Sequence, residues 1–531
     1  MELDFSERAS SDVPVSFDDR KFMKKMQEGI RQQPDGHYIM PLPFKEGKPP
    51  ELPNNKIQAI RRLAQLKSRF IKDQRYHQDY CSFMRNIIKS GYAERVAESE
   101  LLECEDSGHV WYIPHHGVYH SKKPEKIRVV FDCSARYNGE CLNDHLLQGP
   151  DLTNALAGVL CRFRRERVAL ICDVEQMFYQ FKVNAEHRNF LRFLWWDNGS
   201  FEGDPQVFRM KVHLFGATSS PGCANFGLRR IADDFESELG SEAANFVRRN
   251  FYVDDGLISV PTKEEAINMI QKTKDLCNRG GLRLHKFISN SLEVISAVAP
   301  GDRAKGIKDL DLRSDSIPVE RALKDQPLTR RGVLSTVCSV YDPLGLVAPV
   351  ILVGKQILQS LCKDQVDWDD PLPDPLRSRW EQWRSSLIHL QSLKVPRCFR
   401  PEEFGELTSI EDHHFSDASN NGYAQCSYLR LRNGEGRVHC VLVMGKCRVC
   451  PLKAVTIPRL ELNAAVVSVR VSALVQRELD YQDYSEVFWT DSQVVLGYIA
   501  IDACRFHVFV ANRVQIIRDH TEPSQWRHVH S

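Results

Sequence analysis

The chain has 531 residues, 42% of them hydrophobic and 27% charged, with 71 basic side chains against 70 acidic ones. This length exceeds one hydrophobic core and predicts about three or four domains, while the near-cancelled charge gives no bulk argument for a polyanionic partner. No apolar run reaches the roughly 18 residues of a membrane span, so no membrane-spanning helix is expected.

The first segment, "MELDFSERASSDVP", is acidic and polar and reads as neither a signal peptide nor a transit peptide. The 16 scattered cysteines then read as reduced thiols of an intracellular protein. Residues 1–50 are polar and Pro-containing, and are expected to be poorly ordered until about "HYIMPLPF". "IQAIRRLAQLKSRF" and "YCSFMRNIIKSG" carry apolar residues at helical spacing. Asp106-Ser107-Gly108 has the form of an aspartic protease motif, but Glu and Cys precede it where an apolar strand is needed, so it reads as a loop. "HVWYIPHHGVYH" and "KIRVVFDCSA" are short strand-like pieces. Two local basic clusters, "SKKPEKIR" (121–128) and "RFRRER" (162–167), read by themselves as solvated faces.

"VALICDV" (168–174) fits a buried strand that delivers Asp173 near its end. "SSPGCANFGLRRIADDFESEL" opens as a helix on Ser-Pro. "NFYVDDGLISV" (250–260) is a hairpin candidate with Asp254 and Asp255 at its apex, and a helix over 262–281 follows, closed by a glycine pair. Residues 300–330 are charged and irregular and read as a linker, with a mixed segment after them to about 405. The last 125 or so residues read as a separate α/β unit. In it "HHFSDAS" and "SEVFWTDSQ" each end a strand on an aspartate, and a long helix, "IPRLELNAAVVSVRVSALVQREL", lies between them. Cys447 and Cys450 form a lone CxxC without a second pair at zinc-ligand spacing.

Two carboxylate sets carry the chemistry. If strand 168–174 neighbours the hairpin, Asp173, Asp254 and Asp255 converge, and three bare carboxylates repel one another. Two Mg²⁺ ions, or Mn²⁺ in their place, would turn such a cluster into a clamp for in-line phosphoryl transfer. The alternative is a solvated Asp-Asp-Gly turn. Asp417, Glu461 and Asp491, from two strands and the first turn of a helix, form a second oxygen set suited to two metals. There the alternative is a Glu461 that merely favours the helix N-terminus.

Tyr252-Val253-Asp254-Asp255 resembles the YxDD signature of reverse transcriptases, and it follows "CDVEQMF" and "FGATSSPGCAN" in the order that family shows. "IRVVFDCSARYNGECLNDHLLQGPDL" and "YDPLGLVAPVI" resemble the polyprotein of Pao-type (BEL/Pao) long-terminal-repeat retrotransposons, and the resemblance covers roughly residues 35–530. It implies an α+β multidomain chain: a right-hand polymerase with fingers, palm and thumb, then a connection and an α/β ribonuclease H-like domain. The boundaries are 1–50 for a polar N-terminal segment, 51–300 for fingers and palm, 301–405 for thumb and connection, and 406–531 for the nuclease-like domain. The 301–405 stretch resembles a region that carries a peptidase label in Pao polyproteins; it shows no second catalytic aspartate motif and reads as thumb and connection.

The resemblance also assigns roles. Asp173, Asp254 and Asp255 match the catalytic, metal-binding aspartates, and Asp417, Glu461 and Asp491 match metal ligands of ribonuclease H. Lys126, Arg128, Phe178, Gly216 and Tyr252 form the nucleotide-binding set, with Phe178 under the incoming sugar as a steric gate against a 2′-hydroxyl. Lys286 is a candidate general acid for the leaving pyrophosphate. Retroviral enzymes carry Gln before the glycine that Gly216 matches, and this chain has Phe215. The implied function is RNA-directed DNA polymerisation with Mg²⁺. Its partners are RNA and DNA template-primer, deoxynucleoside triphosphates and the protease, integrase and capsid of the element, with no membrane. The implied location is intracellular, in cytoplasmic particles and the nucleus. A fourth acidic residue of the nuclease pattern falls beyond "WRHV", past the last residue given, which implies a truncated domain. The rival reading is a domesticated or decayed retroelement remnant that binds nucleic acid without catalysis.

Overall fold

The computed structural model describes residues 16–104, 108–120, 123–201, 203–304, 314–316, 322, 324, 326–481, 484–501 and 506–530. Asp106 and Ser107 of the Asp-Ser-Gly motif lie outside the described residues, as do residues 1–15 and most of the expected linker over 300–330.

The expectation of a poorly ordered start fails from residue 16 onward. Helix Phe17–Gly29 opens on a capping box in which the Ser16 hydroxyl accepts from Asp19 N–H and the Asp19 carboxylate accepts from Ser16 N–H. Such a box satisfies two orphan donors of the first turn. The helix buries Phe22 and Met26 completely, in the same core as Leu170, Cys172 and Ile231. Two apolar residues one turn apart anchored a segment whose average composition is polar.

That core lies under a four-stranded antiparallel sheet in the order Phe251–Tyr252, Asp255–Val260, Val168–Val174, Leu284–Ser289. Helices Ser220–Leu239, Ser241–Asn250 and Lys263–Arg279 cover one face, and Pro221 opens the first of them as the Ser-Pro pair predicted. The turn of the hairpin is Val253-Asp254, not Asp-Asp-Gly. Gly256 is already paired with Phe251, and a Cβ on it would stand 2.6 Å from the Phe251 ring. Glycine there permits a close approach of ring to strand rather than a turn.

A second core joins helices Lys56–Lys72 and Gln74–Lys89 to the hairpin His115–His120/Lys123–Phe131 and to strands Arg192–Trp195 and Gln206–Met210. Helices Arg330–Ser339, Ala348–Lys363 and Asp374–Ser386 share a third core around Trp380 and Trp383.

The C-terminal sheet runs in the order Val438–Val449, Gly422–Asn433, Leu407–Ala418, Ser485–Thr490, Trp526–His528. The first three strands are antiparallel, and the last two join parallel. Helix Ile457–Leu479 is apolar on nearly every side because it is enclosed on nearly every side. Leu460, Ala464 and Val471 face one core, and Leu462, Val466 and Val469 face another.

The basic cluster 162–167 is neither a solvated face nor an open anion site. Arg164 is 1% exposed, and its guanidinium donates to the carbonyls of Pro396, Arg397 and Leu442. Arg397, also 1% exposed, reciprocates by donating to the carbonyls of Phe163, Glu166 and Arg167. Arg162 pairs with Glu478 of the long helix. Arginine suits this clasp because its fork serves several carbonyls at once and is weakly hydrated.

Candidate functional site

The strand register fixes the first site. Asp173 lies directly opposite Asp255 on one side and His285 on the other, and Val174 N–H donates to the Asp254 carbonyl at 2.8 Å. The turn that presents Asp254 is strained: Val253 has φ +59°, a left-handed conformation that a β-branched residue rarely adopts. Asp255 stands exposed at the head of its strand, yet partial burial, then Asp254 and Asp173, push its carboxyl up to about 6. Asp254 is raised as well, by burial first with Asp173 adding to it, while a backbone hydrogen bond, then Lys286 and Arg128, oppose the rise. These are carboxylates that a cation would relieve, and they fit a divalent metal on that ground.

Asp173 is engaged by two cationic or polar neighbours. Lys286 Nζ donates to its Oδ2 at 2.8 Å, and His285 Nε2 lies 2.6 Å from its Oδ1. Lys286 reaches back because its strand bulges between His285 and Ile288 and Lys286 itself takes φ +52°. The three aspartates therefore do not close to the mutual 4.8 Å spacing that the second site shows. His285 was missed in the sequence, where only its place beside Lys286 in "RLHKF" marked it.

Around this centre, Phe178 is partly buried, with its ring 5.7 Å from Phe215. Gly216 has φ +127°, and a Cβ there would meet the Phe131 carbonyl oxygen at 2.0 Å. Asn143 fixes this turn: it donates to the Gly216 carbonyl at 3.1 Å and accepts from Thr218 N–H at 2.9 Å. Lys126 and Arg128 are exposed two residues apart on strand Lys123–Phe131, so they share one face. Tyr252 is 37% exposed. Tyr341, the first residue of "YDPLGL", is 55% exposed. The Asp342 carboxylate accepts from Leu346 and Val347 N–H at 2.8 Å each, which gives "YDPLGL" its fixed shape.

The second site is closed. Ligand atoms of Asp417, Glu461 and Asp491 all lie within 4.8 Å of one another. Helix Ile457–Leu479 begins at Ile457, so Glu461 sits past the first turn, beyond the reach of the N-terminal dipole that the alternative reading required. Glu461 is 5% exposed and its Oε2 has no hydrogen-bond partner, while Oε1 accepts from Ala418 N–H at 3.3 Å. Burial, then Asp491 and Asp417, push its carboxyl up to about 7. An orphaned buried carboxylate oxygen facing two more carboxylates fits a cation site.

Among the described residues the cysteines are free, and Cys447 and Cys450 belong to no metal-ligand group. No helix among the described residues is long and apolar enough to cross a membrane.

The foamy viral protease-reverse transcriptase in complex with double-stranded DNA superposes with a TM-score of 0.50 at 13% identity, over 84% of this chain and 68% of that one. The foamy viral protease-reverse transcriptase in complex with an RNA/DNA hybrid gives 0.49 at 12%, over 98% of this chain and 63% of that one. The first likeness supports a shared fold, that of a multidomain mixed α/β reverse transcriptase. No curated protein sequence matches the chain. The family model for the Pao retrotransposon-like RNaseH-like domain matches residues 329–492 and so runs across the boundary that sequence reading set at 405/406. That matched segment, which holds Asp417, Glu461 and Asp491, is similar to the Pao retrotransposon-like RNaseH-like domain.

Proposed function

We propose that the chain is an RNA-directed DNA polymerase of a Pao-like retrotransposon, joined to a nuclease-like domain that acts on RNA–DNA hybrids. The observation that carries it is the register of Asp173 against Asp255 at the end of a rigid sheet, with Asp254 on the adjoining strained turn. Asp173, Asp254 and Asp255 would hold divalent metal, which supplies Lewis-acid activation of the primer 3′-hydroxyl and neutralises the phosphate charge. The residues of the chain do the rest. Arg128 and Lys126 attract the triphosphate, the Phe178–Phe215 pair floors the sugar pocket, and the Asn143-pinned Gly216 turn lets backbone approach the nucleotide closely. Lys286 delivers a proton beside Asp173 as pyrophosphate leaves. In the second site Asp417, Glu461 and Asp491 would hold the metals that activate water against the RNA strand.

Primer extension on an RNA template with Mg²⁺ and deoxynucleotides tests this, with wild type run beside Asp254→Asn. Extension by the wild type alone supports the reading. Absence of extension from a folded wild type that still binds template-primer favours the non-catalytic remnant.

A further inference from the structure

A third constellation lies in the C-terminal sheet, outside both candidate sites. Asp412 and His414 alternate on strand Leu407–Ala418 and so share a face, and Glu486 sits opposite Asp412 on the parallel neighbour. The Asp412 and His414 side chains are fully buried, and that of Glu486 is 12% exposed. His414 Nε2 stands 3.3 Å from Asp412 Oδ2 and 3.6 Å from Glu486 Oε1, an oxygen that also accepts from the Ser472 hydroxyl at 2.6 Å. Even so, Nε2 and both Asp412 oxygens lack any partner in hydrogen-bond geometry. A carboxylate wholly withdrawn from water without a hydrogen bond is an expensive arrangement unless something else faces it.

The second nitrogen of His414 shows what faces it. Nδ1 lies 2.8 Å from Ser427 Oγ, and the Ser427 hydroxyl donates to Gln425 Oε1 at 3.0 Å. With the Gln425 amide so placed, Ser427 accepts the Nδ1 proton, which leaves Nε2 as the ring atom that faces the two carboxylates, able to ligate a cation between them when it carries no proton. That is the arrangement of a metal-ligating histidine held by an outer hydrogen bond. The spacing agrees, since bonds of about 2.0–2.1 Å to zinc set tetrahedral edges of roughly 3.3–3.4 Å between ligand atoms. So does the charge: two carboxylates and a neutral imidazole are balanced by a divalent cation, whereas a protonated histidine leaves one negative charge buried.

We propose that Asp412, His414 and Glu486 form a structural site for a divalent transition-metal ion of the zinc class. Nitrogen donation and closure from solvent favour zinc over Mg²⁺, which keeps several waters and prefers oxygen. The site lies five residues, roughly 16 Å, along the same strands from Asp417 and Asp491. It pins the two strands that present those carboxylates.

The test is metal content of the full chain, purified in Mg²⁺ buffer, desalted with a mild chelator and measured by plasma mass spectrometry. One zinc per chain is expected in the wild type and in Asp417→Asn/Asp491→Asn, and a background level in Asp412→Asn. A zinc-free wild type that takes up no zinc or cobalt on refolding, or Asp412→Asn retaining the metal, overturns the proposal. If Asp412→Asn does not fold, the cobalt form of the wild type decides. A hyperfine-shifted imidazole N–H from a single histidine supports the site, and its absence overturns it.

Discussion

Glu461→Gln separates stability from metal binding. The Glu461 carboxyl rises from 4.5 to about 7 in the metal-free fold, through burial and then Asp491 and Asp417. A carboxyl whose folded pKa is raised contributes most below its unfolded value, and that contribution is lost as pH rises through the folded one. The metal-free protein therefore weakens between pH 4.5 and about 7, by about 3 kcal/mol in full. Glutamine keeps the shape, carries no charge and offers an N–H to Asp417 or Asp491. Urea unfolding in chelator near pH 8 should find the variant about 2–3 kcal/mol more stable than wild type, with the difference gone near pH 4.5. Trp489 and Trp526, on neighbouring strands of that sheet, report the transition by fluorescence. With Mg²⁺ present the order should reverse, because only the wild type gains binding energy. A variant less stable than wild type in chelator near pH 8 would refute the premise that this carboxylate is held at a cost.

Gly216→Ala drives a Cβ into the Phe131 carbonyl and should destabilise the junction of the first two cores by about 3 kcal/mol or more, read by thermal unfolding; an unshifted transition would contradict the placement of that turn. Arg397→Ala strips the charged donor from the buried Phe163 carbonyl and from two part-buried ones, and should cost about 3 kcal/mol. Limited proteolysis near residue 397 checks it, and wild-type resistance would show that the clasp contributes little. Phe178→Val opens the pocket beside Phe215 and should raise ribonucleotide incorporation about tenfold or more, whereas unchanged sugar selection would return Phe178 to a plain packing role.

The carboxylate sets were legible because each sits at a strand end that hydrophobic patterning announces: "VALICD", "HHFSD" and "VFWTD". The two adjacent aspartates in an apolar run resolve into a register, with Asp255 opposite Asp173. What stayed hidden depends on contacts distant in sequence. The helix Phe17–Gly29 looked polar because Phe22 and Met26, with a partly buried Met23, carry its attachment. His285 acquires meaning only beside Asp173, 112 positions away. Glu461 reads as a first-turn residue in the sequence, but the helix begins at Ile457 and makes it the fifth helical residue, just past that turn.

The basic clusters show most clearly where sequence reasoning stops. "RFRRER" and "KIR" have the same chemistry and opposite uses, and what decides is the supply of unpaired carbonyls nearby. Arg164 and Arg397 cross between two segments whose chain ends leave carbonyls without intrasegment partners, so their charge is consumed inside. Lys126 and Arg128 lie on a hairpin whose backbone is already paired, so their charge remains outside. The consumed set then does mechanical duty. Helix Leu156–Phe163 accepts from Ser259 Oγ at the Arg162 carbonyl, on the strand headed by Asp255, and packs Ala157 and Leu160 against the core under Glu461's helix. Gly158 allows Glu478 of that helix to approach, since a Cβ on it would stand 2.6 Å from the carboxyl carbon. From Glu478 to Glu461 the long helix runs roughly 25 Å without a break. One short helix thus ties the strand of the first carboxylate site to the helix of the second, and a change at Arg162 or Gly158 should disturb both sites while touching neither.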